Sequence, residues 1–268
     1  MGDNVLFDEN SDGTGVVYKI DERENYLSRK APKIKGAGYR GERLEQVIAA
    51  NVDNLFVVSS VGIPKFNNKA VDRLIISGES SSLSIYLIIN KTDLDNEYEA
   101  EAWKELYSSI GYHVVTSSVV TGEGIGEIKS LLKGKKSIFW GHSGVGKSSL
   151  LNSMYPSLKL KTGETSNFTQ KGKHTTVTSL MVRVEPEVYI VDTPGIREID
   201  PYGITKENLG HYFIDFKPYL DECRFNTCTH NHEPGCAVAA AVEEEKIPAE
   251  RYESYLYLLE TIEEGIVF

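Results

Sequence analysis

The run Gly141-His142-Ser143-Gly144-Val145-Gly146-Lys147-Ser148 limits what this chain can fold into more than any other feature. It fits the pattern GxxxxGKS and stands between the apolar stretch SIFW and the helix-forming stretch SSLLNSM, the strand, loop and helix setting that such a pattern requires. Glycines allow consecutive backbone N–H groups to turn inward around an anion, and the helix that follows adds its positive end at the same point. Gly141 to Ser149 are therefore the expected phosphate cradle. Lys147 is expected to meet the β- and γ-phosphates of a nucleotide, and the Ser148 hydroxyl to ligate Mg²⁺.

A cradle of this kind needs a parallel sheet, and the surrounding pattern supplies one. From Asn54 onward, apolar strands alternate with amphipathic helices, as expected when a sheet is covered on both faces. Strands are expected at Leu55–Ser59, Ile85–Ile89, Tyr112–Thr116, Ser137–Trp140, Leu180–Val184 and Val188–Val191. Helices are expected at Lys69–Ile76, Tyr98–Ser108, Ile125–Leu132 and Lys147–Met154. Residues 1–43 read instead as short β-prone pieces, among them Asn4–Phe7 and Gly15–Ile20, separated by Asp, Asn and Gly. Beyond about Gly203 the pattern is helical again and is interrupted by a Cys/His cluster. The expected division is thus a small β-domain over 1–43, an α/β domain over 44–203 and a helical module over 204–268. Within the last, Tyr252, Tyr255, Leu256, Leu259 and Ile262 recur at helical spacing and read as a packing face.

Two further motifs stand at strand ends, where open α/β folds bind their ligands. Val188–Val191 runs into Asp192-Thr193-Pro194-Gly195, so that Asp192 can hold Mg²⁺ through its hydration shell and the Gly195 N–H can sense the γ-phosphate. Asn90-Lys91-Thr92-Asp93 follows Ile85–Ile89 and suits guanine, because a carboxylate accepts from both N1–H and N2–H₂ of that base, a donor pair that adenine lacks. Ser118 and Val119, which open the run SVVTGEG, fall near the base by the same logic. Between the cradle and DTPG lies Lys171-Gly172-Lys173-His174-Thr175-Thr176, where Thr175 or Thr176 is expected to supply a hydroxyl to Mg²⁺. All three cysteines fall in one stretch, Cys223, Cys228 and Cys236, together with His230 and His232. Three thiolates and one imidazole make a closed tetrahedral set for a structural Zn²⁺, and either histidine can complete it.

The order is unusual: the base-reading motifs precede the phosphate-reading ones. NKTD, SxxTGEG, GHSGVGKSSLLN, KGKHTT and DTPGIRE, followed by the Cys/His cluster, resemble the circularly permuted, small-ribosomal-subunit-dependent GTPases of the RsgA (YjeQ) family over nearly the whole chain. The resemblance implies an OB-fold barrel at the N-terminus that contacts ribosomal RNA. Gly2-Asp3-Asn4-Val5 matches the middle of that barrel, so the barrel here is expected to be partial. The CxH…EPGC pattern of the family puts the fourth zinc ligand at His230. The residue after Gly195 is Ile196, which cannot orient water. The resemblance assigns that role to His174, with slow intrinsic GTP hydrolysis that the ribosome stimulates. It implies action in late maturation of the small (30S) subunit, with 16S rRNA as partner.

Composition bounds this reading. A net charge of −10 argues against a generally basic nucleic-acid binder, although Arg29, Lys30, Lys33, Lys35, Arg40 and Arg43 form a local basic stretch. There is no uninterrupted apolar run of membrane-spanning length, and the N-terminus MGDNVLFDENSDG is acidic and polar. A cytoplasmic monomer is expected. Two other classes fit less of the chain: a P-loop ATPase, and a nucleotide-gated RNA- or ribosome-binding module without catalysis.

Overall fold

The computed structural model describes residues 1–31, 43–161, 180–192 and 200–262. At its centre is a six-stranded sheet in the order β7-β6-β5-β8-β10-β9, where β5 is Asn54–Ser60, β6 Ser84–Asn90, β7 His113–Ser117, β8 Lys136–Trp140, β9 Leu180–Glu185 and β10 Val188–Asp192. All neighbours run parallel except β9, which pairs antiparallel with β10 at the edge. Every residue of β5 is buried, which is why NLFVVSS lacks the alternation of a half-exposed strand.

Successive strand residues face opposite layers. Leu55 and Val57 pack with Leu87, Val114 and Trp140 under the helices α1 (Asn68–Ser80) and α2 (Glu99–Ser109). Phe56 and Val58 pack with Ile88, Val115 and Phe139 under α3 (Ile125–Leu131) and α4 (Lys147–Met154). The expected strands and helices of this region all form, their ends within a residue except at α1. That helix runs on to Ser80 because Gly78 lets it lie against the sheet: a Cβ there would come 2.7 Å from Leu55 Cδ2 and 3.0 Å from Ile85.

The N-terminal strands form two separate two-stranded sheets, β1 (Val5–Glu9) with β2 (Gly15–Ile20) and β3 (Tyr26–Lys30) with β4 (Glu45–Ala50). Among the described residues they do not close a barrel. β1 and β2 are exposed along their whole length, whereas Leu27, Ile48 and Ala49 of the second pair join the α1/α2 core layer. β3 and β4 were not expected as strands, because Tyr-Leu-Ser-Arg-Lys and Glu-Gln-Val-Ile-Ala-Ala are short and flanked by charge. Arg29 bridges to Pro201 and the Lys30 N–H donates to the Asp200 carbonyl at 2.7 Å, tying β3 to the chain just beyond the DTPG region.

Downstream, 3₁₀ turns at Leu209–Tyr212 and Lys217–Glu222 lead to α5 (Ala237–Glu243) and α6 (Ala249–Thr261). They share a core of Leu209, Phe213, Phe216, Val238, Tyr255 and Leu258, to which Ile76 of α1 also belongs. The expected packing face of α6 forms around Tyr255 and Leu259, but it also buries Arg251 and Ser254, which hydrophobic spacing does not single out. Arg251 makes a bidentate pair with Asp215 (2.8 and 3.3 Å) and an ion pair with Asp72 of α1, and its guanidinium lies 4.5 Å over the Phe213 ring. α6 is thereby locked onto α1.

Candidate functional site

The chain runs from β5 through β6 to β7 in one direction and then returns to β8 on the other side of β5. Such a reversal opens a crevice at the carboxyl ends of β5 and β8, where doubly wound sheets bind ligands. The GHSGVGKS loop leaves β8 at this point. Gly141 presses against β5, and a Cβ there would stand 2.0 Å from the Val58 carbonyl oxygen. Gly144 and Gly146 adopt φ of +85° and +95°, the left-handed conformations that open the loop inward before α4 begins at Lys147. The Lys147 ammonium donates to the carbonyls of Gly141 (2.5 Å) and His142 (2.9 Å), spanning its own loop. His142 and Ser143 are exposed at the rim, Val145 is buried beneath it, and Ser148 and Ser149 sit half-buried in the first turn of α4.

The NKTD segment lies against this loop. Asn90 is buried at the end of β6, and its Nδ2 donates to the Val145 carbonyl at 2.9 Å, while its Oδ1 accepts from Ser117 Oγ at 3.1 Å. Lys91 turns the chain with φ +67° and its ammonium reaches the Ile63 carbonyl at 2.5 Å. Asp93 is exposed, and its Oδ1 accepts from the buried Ser118 hydroxyl at 2.5 Å. Ser118 Oγ in turn accepts from the amides of Val120 (3.1 Å) and Thr121 (3.2 Å), and Val119 stands exposed beside it. The Asp93 carboxylate is therefore held by a hydroxyl whose own position is set by the next loop. Asn90, Asp93 and Ser118 come together as the sequence indicates.

Asp192 closes β10 with its backbone opposite Phe139 of β8, three strands along from β6. The Asp192 side chain and Gly195, His174, Thr175 and Thr176 lie outside the described residues.

The second cluster forms in the C-terminal module. Ligand atoms of Cys223, Cys228, His230 and Cys236 all lie within 4.8 Å of one another. His230 Nδ1 is 3.6 Å from Cys223 Sγ and 3.5 Å from Cys236 Sγ. A tetrahedral Zn²⁺ with Zn–S of about 2.3 Å and Zn–N of about 2.0 Å has ligand–ligand edges of roughly 3.5–3.8 Å, so the donor set fits that ion. His232 is exposed and outside the group, whereas His230 belongs to it. Burial pushes the Cys228 thiol up to about 12, so a neutral cluster resists forming thiolates until a cation is at hand to hold them. The loop is braced around it: the Tyr252 and Tyr255 hydroxyls donate to the carbonyls of His230 and Thr229, each at 2.7 Å. Burial raises the pKa of Glu233, yet hydrogen bonds from the Thr229 hydroxyl and from the amides of Thr229 and Asn231 outweigh it and hold the carboxyl at about 2.

The family model described as RsgA GTPase matches residues 20–202, more than half of the chain. The chain belongs to the RsgA GTPase family. It is a GTP hydrolase with a circularly permuted α/β domain, N-terminal β-strands and a C-terminal Cys₃His cluster able to hold a metal. Among curated relatives it is 42% identical to the small ribosomal subunit biogenesis GTPase RsgA of Chlorobaculum parvum, over 98% of this chain and 85% of that protein. It is 40% identical to RsgA 2 of Bacteroides thetaiotaomicron, over 99% and 84%. Among solved structures, YjeQ from Thermotoga maritima superposes with a TM-score of 0.77 at 34% identity, covering 97% of this chain and 82% of that one. YloQ, described as a circularly permuted GTPase, gives 0.72 at 28% identity, covering 97% and 79%.

One side chain beside Asp93 and Ser118 escaped the motif reading of this RsgA family member. Glu123, within TGEG, accepts from Thr92 Oγ1 at 2.6 Å and from Thr116 Oγ1 at 2.9 Å. Its signal is the pair of flanking glycines, which free a backbone to turn a side chain back on its own strand.

Proposed function

We propose that this chain is a ribosome-stimulated GTPase acting in late maturation of the small ribosomal subunit, and that it hydrolyses GTP to GDP and phosphate. The observation that carries the reading is the meeting of Asp93 and Ser118 beside the GHSGVGKS loop, which Asn90 links through the Val145 carbonyl. That arrangement favours a guanine nucleotide with its phosphates at the N-terminus of α4.

In this reading Asn90, Lys91, Thr92, Asp93, Ser118 and Val119 surround the base, and Gly141 to Ser149 receive the phosphates. Ser148 and Asp192 would hold Mg²⁺, joined by Thr175 or Thr176, and the Gly195 N–H would sense the γ-phosphate. Bound Mg²⁺ would neutralise charge that develops on the transferred phosphoryl group. Lys147 leaves the carbonyls of Gly141 and His142 to add its own charge there, and the loop amides contribute the rest. His174 orients the attacking water when the ribosome is bound.

Zn²⁺ at Cys223, Cys228, His230 and Cys236 is structural, since four protein donors leave no open position for a substrate. The N-terminal strands and the zinc module are read as the surfaces that meet 16S rRNA on the 30S subunit. The protein is read as a cytoplasmic monomer, and, as a separate observation, no described helix is long and apolar enough to cross a membrane. GTP turnover measured with and without purified small subunits tests the proposal. Stimulation that His174→Ala removes is the expected result; equal rates in both arms would leave only a binding role.

A further inference from the structure

We propose that Glu123 is a positioning residue for guanine selectivity, a clamp that holds the two base-reading loops in register. The inference rests on the assignment of Asp93 to the base. The two loops leave different strands, β6 and β7, and the surface between them is open: Asp93, Val119 and Val120 are exposed. At the strand ends they are joined by Ser117 to Asn90. Farther out, at the carboxylate itself, the described crosslinks are Ser118 Oγ to Asp93 Oδ1 and the Glu123 bridge, in which one carboxylate oxygen takes the Thr92 hydroxyl and the other the Thr116 hydroxyl.

The backbone is built to make that bridge. Gly122 (φ +83°) and Gly124 (φ +70°) flank Glu123, and a Cβ on Gly124 would stand 2.1 Å from the Thr116 carbonyl oxygen, so only glycine lets the loop fold this tightly onto β7. The Ser118 N–H donates to the Glu123 carbonyl at 3.2 Å, so the same residue also closes the loop that carries Ser118. Thr92 immediately precedes Asp93 on the 3₁₀ turn Thr92–Leu94. Fixing the Thr92 hydroxyl fixes the angle at which the Asp93 carboxylate faces the base. Guanine uses both carboxylate oxygens, through N1–H and N2–H₂, whereas hypoxanthine offers N1–H alone. A loosened carboxylate therefore costs guanine more than hypoxanthine.

The test measures the affinities of GDP and IDP, together with saturated GTP turnover, for the wild type, Glu123→Ala and Glu123→Gln. Glu123→Ala is expected to weaken GDP about fivefold, the scale of one net hydrogen bond, and to narrow the GDP/IDP ratio by a similar factor. Saturated turnover stays as in the wild type. Glu123→Gln restores the ratio, because its amide can donate to one threonine oxygen and accept from the other hydroxyl. A GDP/IDP ratio in Glu123→Ala within twofold of the wild type overturns the proposal, as does a loss that Glu123→Gln fails to rescue. Asp93→Asn is the control for the underlying assignment: a switch toward xanthine nucleotide upholds it whatever Glu123 does, and unchanged GDP preference removes both.

Discussion

Replacing Arg251 by Met tests how the C-terminal module is held. Arg251, Asp72 and Asp215 have side-chain exposures of 1%, 0% and 4%, and the Tyr107 hydroxyl adds a 2.9 Å hydrogen bond to Asp72. Burial raises the pKa of Asp72, opposed by the Arg251 charge, and the two carboxylates in turn hold Arg251 well above its ordinary value despite its own burial. Met keeps the hydrophobic stem but leaves two buried acids without a cation. Breaking a buried pair in this way costs about 3–5 kcal/mol. An independent route gives the same scale: neutralising one carboxyl of ordinary pKa 3.8 at pH 7 costs about 4 kcal/mol. The sign of the pH dependence follows. In the variant a buried carboxyl has a folded pKa above its unfolded one, so the folded state carries an extra proton and stability falls as pH rises, by about 1.4 kcal/mol per unit for one proton. Urea unfolding at pH 5 and pH 7 should therefore show a deficit against wild type that grows with pH, by no more than about 3 kcal/mol across the interval. Adding Asp72→Asn and Asp215→Asn should recover most of it, since the uncompensated charge is then gone. A deficit below about 1 kcal/mol at pH 7, or one that does not change with pH, would refute the reasoning.

Other perturbations probe the remaining parts. Gly146→Ala puts a methyl 2.4 Å from Asn90 Nδ2 at φ +95°, so GDP affinity should drop at least about tenfold; retained affinity in a fluorescent-GDP titration would contradict the close fit. Chelation, or Cys228→Ser, should remove one Zn²⁺ per chain and abolish the near-ultraviolet signal of Tyr252 and Tyr255, which are hydrogen-bonded to the ligand loop; metal analysis finding no zinc in the untreated protein would count against the site. The Glu233 carboxyl, held at about 2 against an ordinary 4.5, stabilises the fold above about pH 4.5, and that contribution is lost as pH falls toward 2. Glu233→Gln should thus be less stable than wild type at pH 7 and converge on it through this window, and a gap in urea midpoint that stays constant with pH would be the contrary result.

Much of the candidate nucleotide site is proposed from the sequence because its chemistry is local. GHSGVGKS, NKTD and DTPG each carry a backbone demand or a donor pattern within a few consecutive residues, and apolar periodicity places each at a strand end. The reversed order of the motifs, and with it the circular permutation, is a property of the sequence alone. So is the presence of a Cys₃His donor set. Three things needed the tertiary structure, because each depends on residues distant in sequence. His230 rather than His232 joins the thiols because the loop braced by Tyr252, Tyr255 and Glu233 buries one ring and leaves the other outside. Arg251 reads as a solvated charge on an acidic helix until α1 brings Asp72 against it, 179 residues away. Glu123 reads as a loop carboxylate until β6 and β7 lie side by side and set Thr92 and Thr116 within its reach. The sequence by itself determined which ligand chemistry the chain carries and in what order, since those signals lie in neighbouring residues. Which side chains hold that chemistry in position was decided only when the sheet and the α1–α6 contact brought distant carboxylates, hydroxyls and one guanidinium together.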